Sequence, residues 1–254
     1  MKLIIKVIVI IFISLNLIAR EKGETEITTE DGIEVFQTEK FYLLKKNVKI
    51  QSDEFTLNAD DVKIDFDKSL YDITKLNAQG NVNFYSEEYN IKGDGEYLEF
   101  EVKIEQILVR GQNSKLITKD VQMFSDGFIE VNNQSGKFSL KGLNSKLINE
   151  DVIIEARSID GVFSDIGEKK NIILLNVFDE QISYIKNNNT DMYAKKINYN
   201  NENSIIELID NVTIIRNEEK ITGDYGTLDT TNNSYKIKSK NQSKVKVVIQ
   251  NNEQ

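Results

Sequence analysis

Beyond residue 20, apolar and polar side chains alternate at a period of two in short runs, and no stretch keeps a helical period for three turns. The runs FTLNADDVKIDF from Phe55, YNIKGDGEYLEF from Tyr89 and SYKIKSK from Ser234 show the pattern. Polar turn signals separate them, among them DKS at 67–69, NNEN at 200–203 and TTNNS at 230–234. The pattern predicts an all-β chain of many short strands.

The strands recur as units. LNADDVKIDF from Leu57, IKGDGEYLEF from Ile91 and ITGDYGTLDT from Ile221 align without gaps. The alignment superposes Ala59, Gly93 and Gly223, then Asp60, Asp94 and Asp224, and brings Val48, Val82 and Val212 together upstream, each after an asparagine. Inside a unit the apolar phase changes: Phe55, Leu57 and Ala59 are odd-numbered, whereas Val62, Ile64 and Phe66 are even. A one-residue slip turns a strand's apolar set to the other face. To keep one core, the chain must bulge or turn a corner at the small-residue-plus-Asp step. Asn-Val or Asp-Val markers at Val48, Val82, Val121, Val152, Val177 and Val212 are unevenly spaced. That favours an antiparallel jelly roll of stacked units over a parallel β-helix of constant turn length. A phrase is also copied: GQNSKLITKDV from Gly111 and GLNSKLINEDV from Gly142. It reads as a strand and its exit turn, repeated to add a rung.

The first twenty residues, MKLIIKVIVIIFISLNLIAR, break the pattern. Lys2 and Lys6 precede an apolar run from Val7 to Ala19, broken only by Ser14 and Asn16 and too short for a membrane span, so residues 1–19 are expected to be a signal peptide. Leu17 stands where a cleavage site prefers a small residue, which leaves a retained N-terminal membrane anchor as the alternative. Residues 20–250 are expected to form a single β domain lengthened in its middle, 113–204, with 251–254 a disordered tail. The chain has no cysteine, so an exported protein of this sequence has no disulfide framework. Its net charge of -9 argues against nucleic acid, whose phosphates need clustered Lys and Arg.

At NADDVKIDF, at DNVTIIRNEEKITGDYGTLDTTNNSYKIKS and at the recurring Asn-Val starts, the chain resembles the OstA/LptA family of periplasmic lipopolysaccharide-transport proteins. Residues 27–112 and 205–250 carry the resemblance, and 113–204 follows it only as repeats of the same kind. The resemblance implies a twisted, partly open antiparallel β-jelly roll in the periplasm of a Gram-negative bacterium. Acyl chains would lie in its apolar interior, with the sugar head in water. It implies lipopolysaccharide as ligand, inner-membrane LptC-like and outer-membrane LptD-like partners, and end-to-end stacking. It implies no catalysis and no cofactor. A membrane-anchored LptC-like subunit shares the fold and is the alternative within the class.

The residues fit that reading. The commonest general base and the best nucleophile are missing, since the chain has neither histidine nor cysteine. The acidic pairs Asp60–Asp61 and Asp65–Asp67 are expected to serve corners and a hairpin turn rather than catalysis or calcium, and no metal site is expected. The groove lining is expected from Ile50, Phe55, Leu57, Val62, Ile64 and Phe66, then Val82, Phe84, Ile91, Leu98 and Phe100, and finally Ile221 and Leu228. The same side chains would serve equally as a dry core.

The chain's ends differ in charge. Residues 21–39 hold seven acids against one lysine, whereas 236–246 hold five lysines and no acid. Glu30, Asp31 and Glu34 of one molecule could therefore meet Lys236, Lys238, Lys240, Lys244 and Lys246 of the next, making a head-to-tail homo-oligomer. Lysines that merely blunt an edge strand would give the same pattern. Readings from other classes are a carbohydrate-active β-solenoid using Asp pairs and an extracellular structural β protein.

Overall fold

The computed structural model describes residues 24–69, 72–166, 169–217, 219–232, 234–240 and 244–249. The expected signal or anchor at 1–19 and the tail at 251–254 lie outside the described residues. The rest is one antiparallel sheet of 18 strands folded on itself.

The chain opens with two short strands, β1 (Glu26–Thr28) and β2 (Ile33–Phe36). Long strands follow: β3 (Phe41–Gln51), β4 (Phe55–Phe66), β5 (Ile73–Ser86) and β6 (Ile91–Glu101). Four half-length strands come next: β7 (Gln106–Arg110), β8 (Ser114–Ile117), β9 (Val121–Ser125) and β10 (Phe128–Asn132). Long strands resume with β11 (Lys137–Asn149), β12 (Val152–Ile166), β13 (Lys169–Asn187), β14 (Thr190–Asn200), β15 (Ile205–Arg216) and β16 (Glu219–Asp229). Half-length β17 (Ser234–Lys238) and β18 (Lys246–Ile249) close the chain.

Each long strand bends once and belongs to two leaves. The half strands show the division: β6 pairs with β7 through Tyr97–Glu101 and with β8 through Lys92–Asp94. β10 and β9 likewise pair with the two halves of β11, and β17 and β18 with the two halves of β16. A rung is thus one bent strand or two half strands. The leaves join at the bends, along a corner edge. The hairpins lie on the opposite side, where the free margins of the leaves meet along a seam.

Three corners share one design. Lys46 and Asn47 of β3 (φ 65° and 51°) stand opposite Asp60 alone. Gly80 and Asn81 (φ 73° and 46°) stand opposite Glu96, and Asp210 and Asn211 (φ 60° and 57°) opposite Asp224. Two residues against one make a β-bulge, which bends the strand. Left-handed φ suits glycine and is tolerated by asparagine and aspartate better than by most residues. Hydrogen bonds knit neighbouring corners: the Asn47 amide donates to Glu30 (2.7 Å), the Asn81 amide to Asp60 (2.9 Å) and the Asn144 amide to Asp126 (3.0 Å).

This geometry corrects two alignments. The equivalents of Ala59–Asp60 are Gly95–Glu96 and Gly223–Asp224, so Asp94 is not a corner residue. Its carboxylate instead accepts from Asn83 (2.6 Å) and pairs with Lys115 (2.9 Å). Val121 and Val152 begin strands after hairpins, and Val177 precedes its own bend. The places equivalent to Val48, Val82 and Val212 are taken by Ser114, Ser145 and Ser183, each the first buried residue after a bend. Their hydroxyls satisfy carbonyls that wider bends leave open: Ser114 bonds Gly111 O (2.7 Å) and Ser183 bonds Lys195 O (3.1 Å). The NSKLI phrase is accordingly a bend, the half strand after it, and its hairpin.

Between the leaves lies one apolar core running from Leu44 to Leu228. Leu57, Leu98, Val109, Ile129, Leu147, Ile159, Ile197 and Leu208 are essentially inaccessible. Each such side chain contributes about 1.5–3 kcal/mol on burial. The architecture is the β-jelly roll that the alternation and repeats predicted.

Candidate functional site

All the expected lining residues face the interior. Ile50, Leu57, Val62, Ile64, Phe66, Val82, Phe84, Ile91, Leu98, Ile221 and Leu228 are buried, while Phe55 and Phe100 are half-buried beside the core. The leaves pack against each other here, so these side chains form a closed apolar interior. Of the acids expected to make a hairpin turn, Asp67 lies in the turn after β4 and pairs with Lys40 of the neighbouring turn (3.0 Å), whereas Asp65 lies within β4 and pairs with Lys63 of the same strand. Among the described residues no group of three acidic side chains is gathered to hold a metal.

Along the seam, among the described residues, the leaves are not joined by backbone ladders. Among the described residues, contacts clasp it at three places. Tyr89, on a hairpin of one leaf, meets Phe100 of the other edge-on at 6.4 Å. In the middle, the Lys170 backbone N–H donates to Asp120 Oδ2 (3.3 Å). The Asn149 amide donates to Asp120 O (3.1 Å) and Lys170 O (3.2 Å), and Lys169 pairs with Glu150. That last hydrogen bond holds the Lys169 ammonium above the usual lysine range. At the far end the Tyr235 hydroxyl donates to Glu219 Oε2 (3.0 Å). Burial, then this bond, push the Tyr235 phenol up, so it stays a donor.

Between the middle and far clasps the margins part into a cleft of about 320 Å³. Its floor is Leu175, Ile185 and Ile206, residues of the core, with Val152, Ile172 and Tyr199 on the walls. Its rim is rich in amides: Asn149, Asn171, Asn187, Asn188 and Asn201. None of these residues was expected as a site residue from the sequence, where Val152 served as a strand marker and Asn201 as part of a turn signal. Their signal was the density of asparagine at 187–189 and 198–203, which also serves as turn chemistry.

The charged ends are partly engaged within the chain. Glu30 bonds Asn47 and pairs with Lys46 (3.3 Å); the Asn47 bond, then Lys46, hold its carboxyl below the usual range. Glu34 pairs with Lys45 (2.8 Å), and the Asp31 backbone N–H bonds Lys45 O. Lys240 donates its N–H to Asp224 (2.7 Å) and places Nζ 3.5 Å from Asp210. Lys236, Lys238, Lys244 and Lys246 are exposed on the last rung. Exposed apolar residues accompany both ends: Ile33 and Val35 on β2, Val247 and Ile249 on β18.

Comparison with known proteins gives one family. The model of the LptA/(LptD N-terminal domain) LPS transport protein matches twice, over residues 27–137 and 130–234. The second match takes in most of the stretch that the sequence suggested as added rungs. Comparison with curated proteins found no match. Among solved structures, the crystal structure of LptH is similar, described as the LptA homologous periplasmic component of the conserved lipopolysaccharide transport device from Pseudomonas aeruginosa. It shares 14% identity over 52% of this chain and 95% of that chain, with a TM-score of 0.42. Because the family model covers most of the length, the chain belongs to the LptA/LptD N-terminal family of LPS transport proteins.

Proposed function

We propose that the protein binds lipopolysaccharide between its two leaves and passes it through the periplasm, from the inner to the outer membrane, during outer-membrane assembly. The observation that carries this reading is the apolar interior, continuous from Leu44 to Leu228 and bounded on one side by a seam that, among the described residues, side-chain contacts and a few hydrogen bonds close. Parting the leaves at the seam would expose Phe66, Leu98, Phe100 and their neighbours to acyl chains while the corner edge keeps the sheet whole. Each buried CH₂ is worth about 0.8 kcal/mol, so many weak contacts hold a lipid without one decisive residue.

Membrane partners of the LptC-like and LptD-like kind would join the two ends. Exposed apolar and charged groups on β2 and β18 support end-to-end contact with these partners or with a second copy. The two family matches in line support a chain built as two conduit units in tandem. Photoreactive side chains at Phe66 and Phe100 should capture lipopolysaccharide when the protein is isolated from its own membranes. Protein that never yields such an adduct, and carries no lipopolysaccharide, would refute the conduit.

A further inference from the structure

The seam is not uniform. It is clasped at Tyr89–Phe100, at Asp120–Asn149–Lys170 and at Tyr235–Glu219, and it stands open between the second and third clasps. At that opening the core floor of Leu175, Ile185 and Ile206 can be reached from the side of the molecule rather than from its ends. The cleft's volume of about 320 Å³ falls within the usual range of ligand sites, about 300–1,000 Å³.

The chemistry of the rim narrows the ligand. Amides both donate and accept, which matches hydroxyl and amide groups of a sugar backbone. Phosphate is recognised by Arg forks and clustered cations. Here the rim carries Glu150 and Asp151 beside the asparagines, and Lys169 is paired with Glu150. An anionic group would meet like charge, whereas a neutral acylated sugar would find apolar floor and amide rim at the right depths.

We propose that this cleft is a side entrance and resting site for an acylated sugar. One acyl chain lies over Leu175, Ile185 and Ile206, and the sugar hydroxyls bond the rim amides, chiefly Asn171 and Asn187. The proposal rests on the conduit reading and adds to it a lateral position and a preference for the uncharged part of the glycolipid head.

The test uses the full chain with a photoreactive residue at Ile172 on the cleft wall, at Phe66 and Phe100 in the interior, or at Leu143 on the exposed corner edge. The probes are purified lipopolysaccharide and a fluorescent fatty acid that has no sugar. Capture of lipopolysaccharide at Ile172 and not at Leu143 is expected. With Asn171→Ala and Asn187→Ala together, capture of lipopolysaccharide should weaken about ten-fold, as loss of two modest hydrogen bonds gives, while the fatty acid binds as before. Capture at Phe66 or Phe100 without capture at Ile172 would overturn the side entrance and leave the conduit standing. No capture at any interior position would overturn both. Equal loss of both probes in the double variant would reduce the amides to a structural role and overturn the head-group assignment.

Discussion

Asn81 holds a left-handed backbone angle and an amide bonded to Asp60, and both depend on its being asparagine. Asn81→Ala should cost about 1–2 kcal/mol in urea unfolding, and Asn81→Gly less, because glycine relieves the angle but not the lost bond. Its neighbour Gly80 is tighter: a Cβ there would stand 2.2 Å from Asp60 Oδ2 at φ +73°, so Gly80→Ala should be worse than either. A second residue-scale effect depends on pH. The Tyr225 hydroxyl (2.7 Å), then the Asn198 amide, hold the Glu207 carboxyl below the usual range. A lowered carboxyl contributes stability above its unfolded pKa, about 4.3, and loses it as pH falls through the folded value. Tyr225→Phe should therefore destabilise by about 1 kcal/mol at pH 7, with the gap to the parent shrinking below pH 4. Sequence pattern located one side of the corners at Asp60 and Asp224 and not the other, for a simple reason. On β4 the buried residues step from Ala59 to Val62, and parity flips. On β3 they step from Leu44 to Val48, and parity is kept, so alternation shows nothing. The asparagines were visible as markers, but their backbone role was not.

Among elements, the first and last rungs are the ones with a free edge. The sequence suggested charge alone as the link between molecules. In the fold, Glu30, Glu34 and Lys240 have partners in their own chain, which leaves Lys236, Lys238, Lys244 and Lys246 beside apolar Val247 and Ile249. If these edges associate, Lys236→Glu with Lys238→Glu should lower the association constant in sedimentation. Added salt should weaken association only in part, since it screens charge and not apolar burial. Sedimentation unchanged by the two substitutions would refute the basic edge as a contact. Strand positions were readable because a half-buried strand writes its own period. The seam clasps were not, because Asp120, Asn149, Tyr235 and Glu219 lie far apart in sequence and meet only when hairpins of opposite leaves converge.

At the scale of the whole molecule, opening must be a movement of leaf from leaf. The absence of native cysteine permits a direct check. Glu150→Cys with Lys169→Cys, joined by a bifunctional thiol reagent, replaces the middle clasp by a covalent one. The linked protein should still load lipopolysaccharide at Ile172 but deliver it poorly to a photoreactive residue at Phe100; delivery unchanged by the link would show that the leaves need not part there. The chain's course through the sheet carries a different consequence. One rung runs from the first margin to the second, and the next returns. Inserting a single rung would reverse every later strand, turning each bulge-bearing rung into a partner rung and each hairpin to the wrong margin. Length can therefore change only by an even number of rungs. The copied phrase obeys that parity: deleting residues 114–144 joins Asn113 to Ser145, keeps the phrase intact and removes one outward rung with its return. Such a shortened protein should unfold cooperatively with a smaller urea dependence, whereas a cut that removes β12 alone should not fold. Evolution of a longer or shorter jelly roll of this architecture is quantised, and the smallest step is a there-and-back pair.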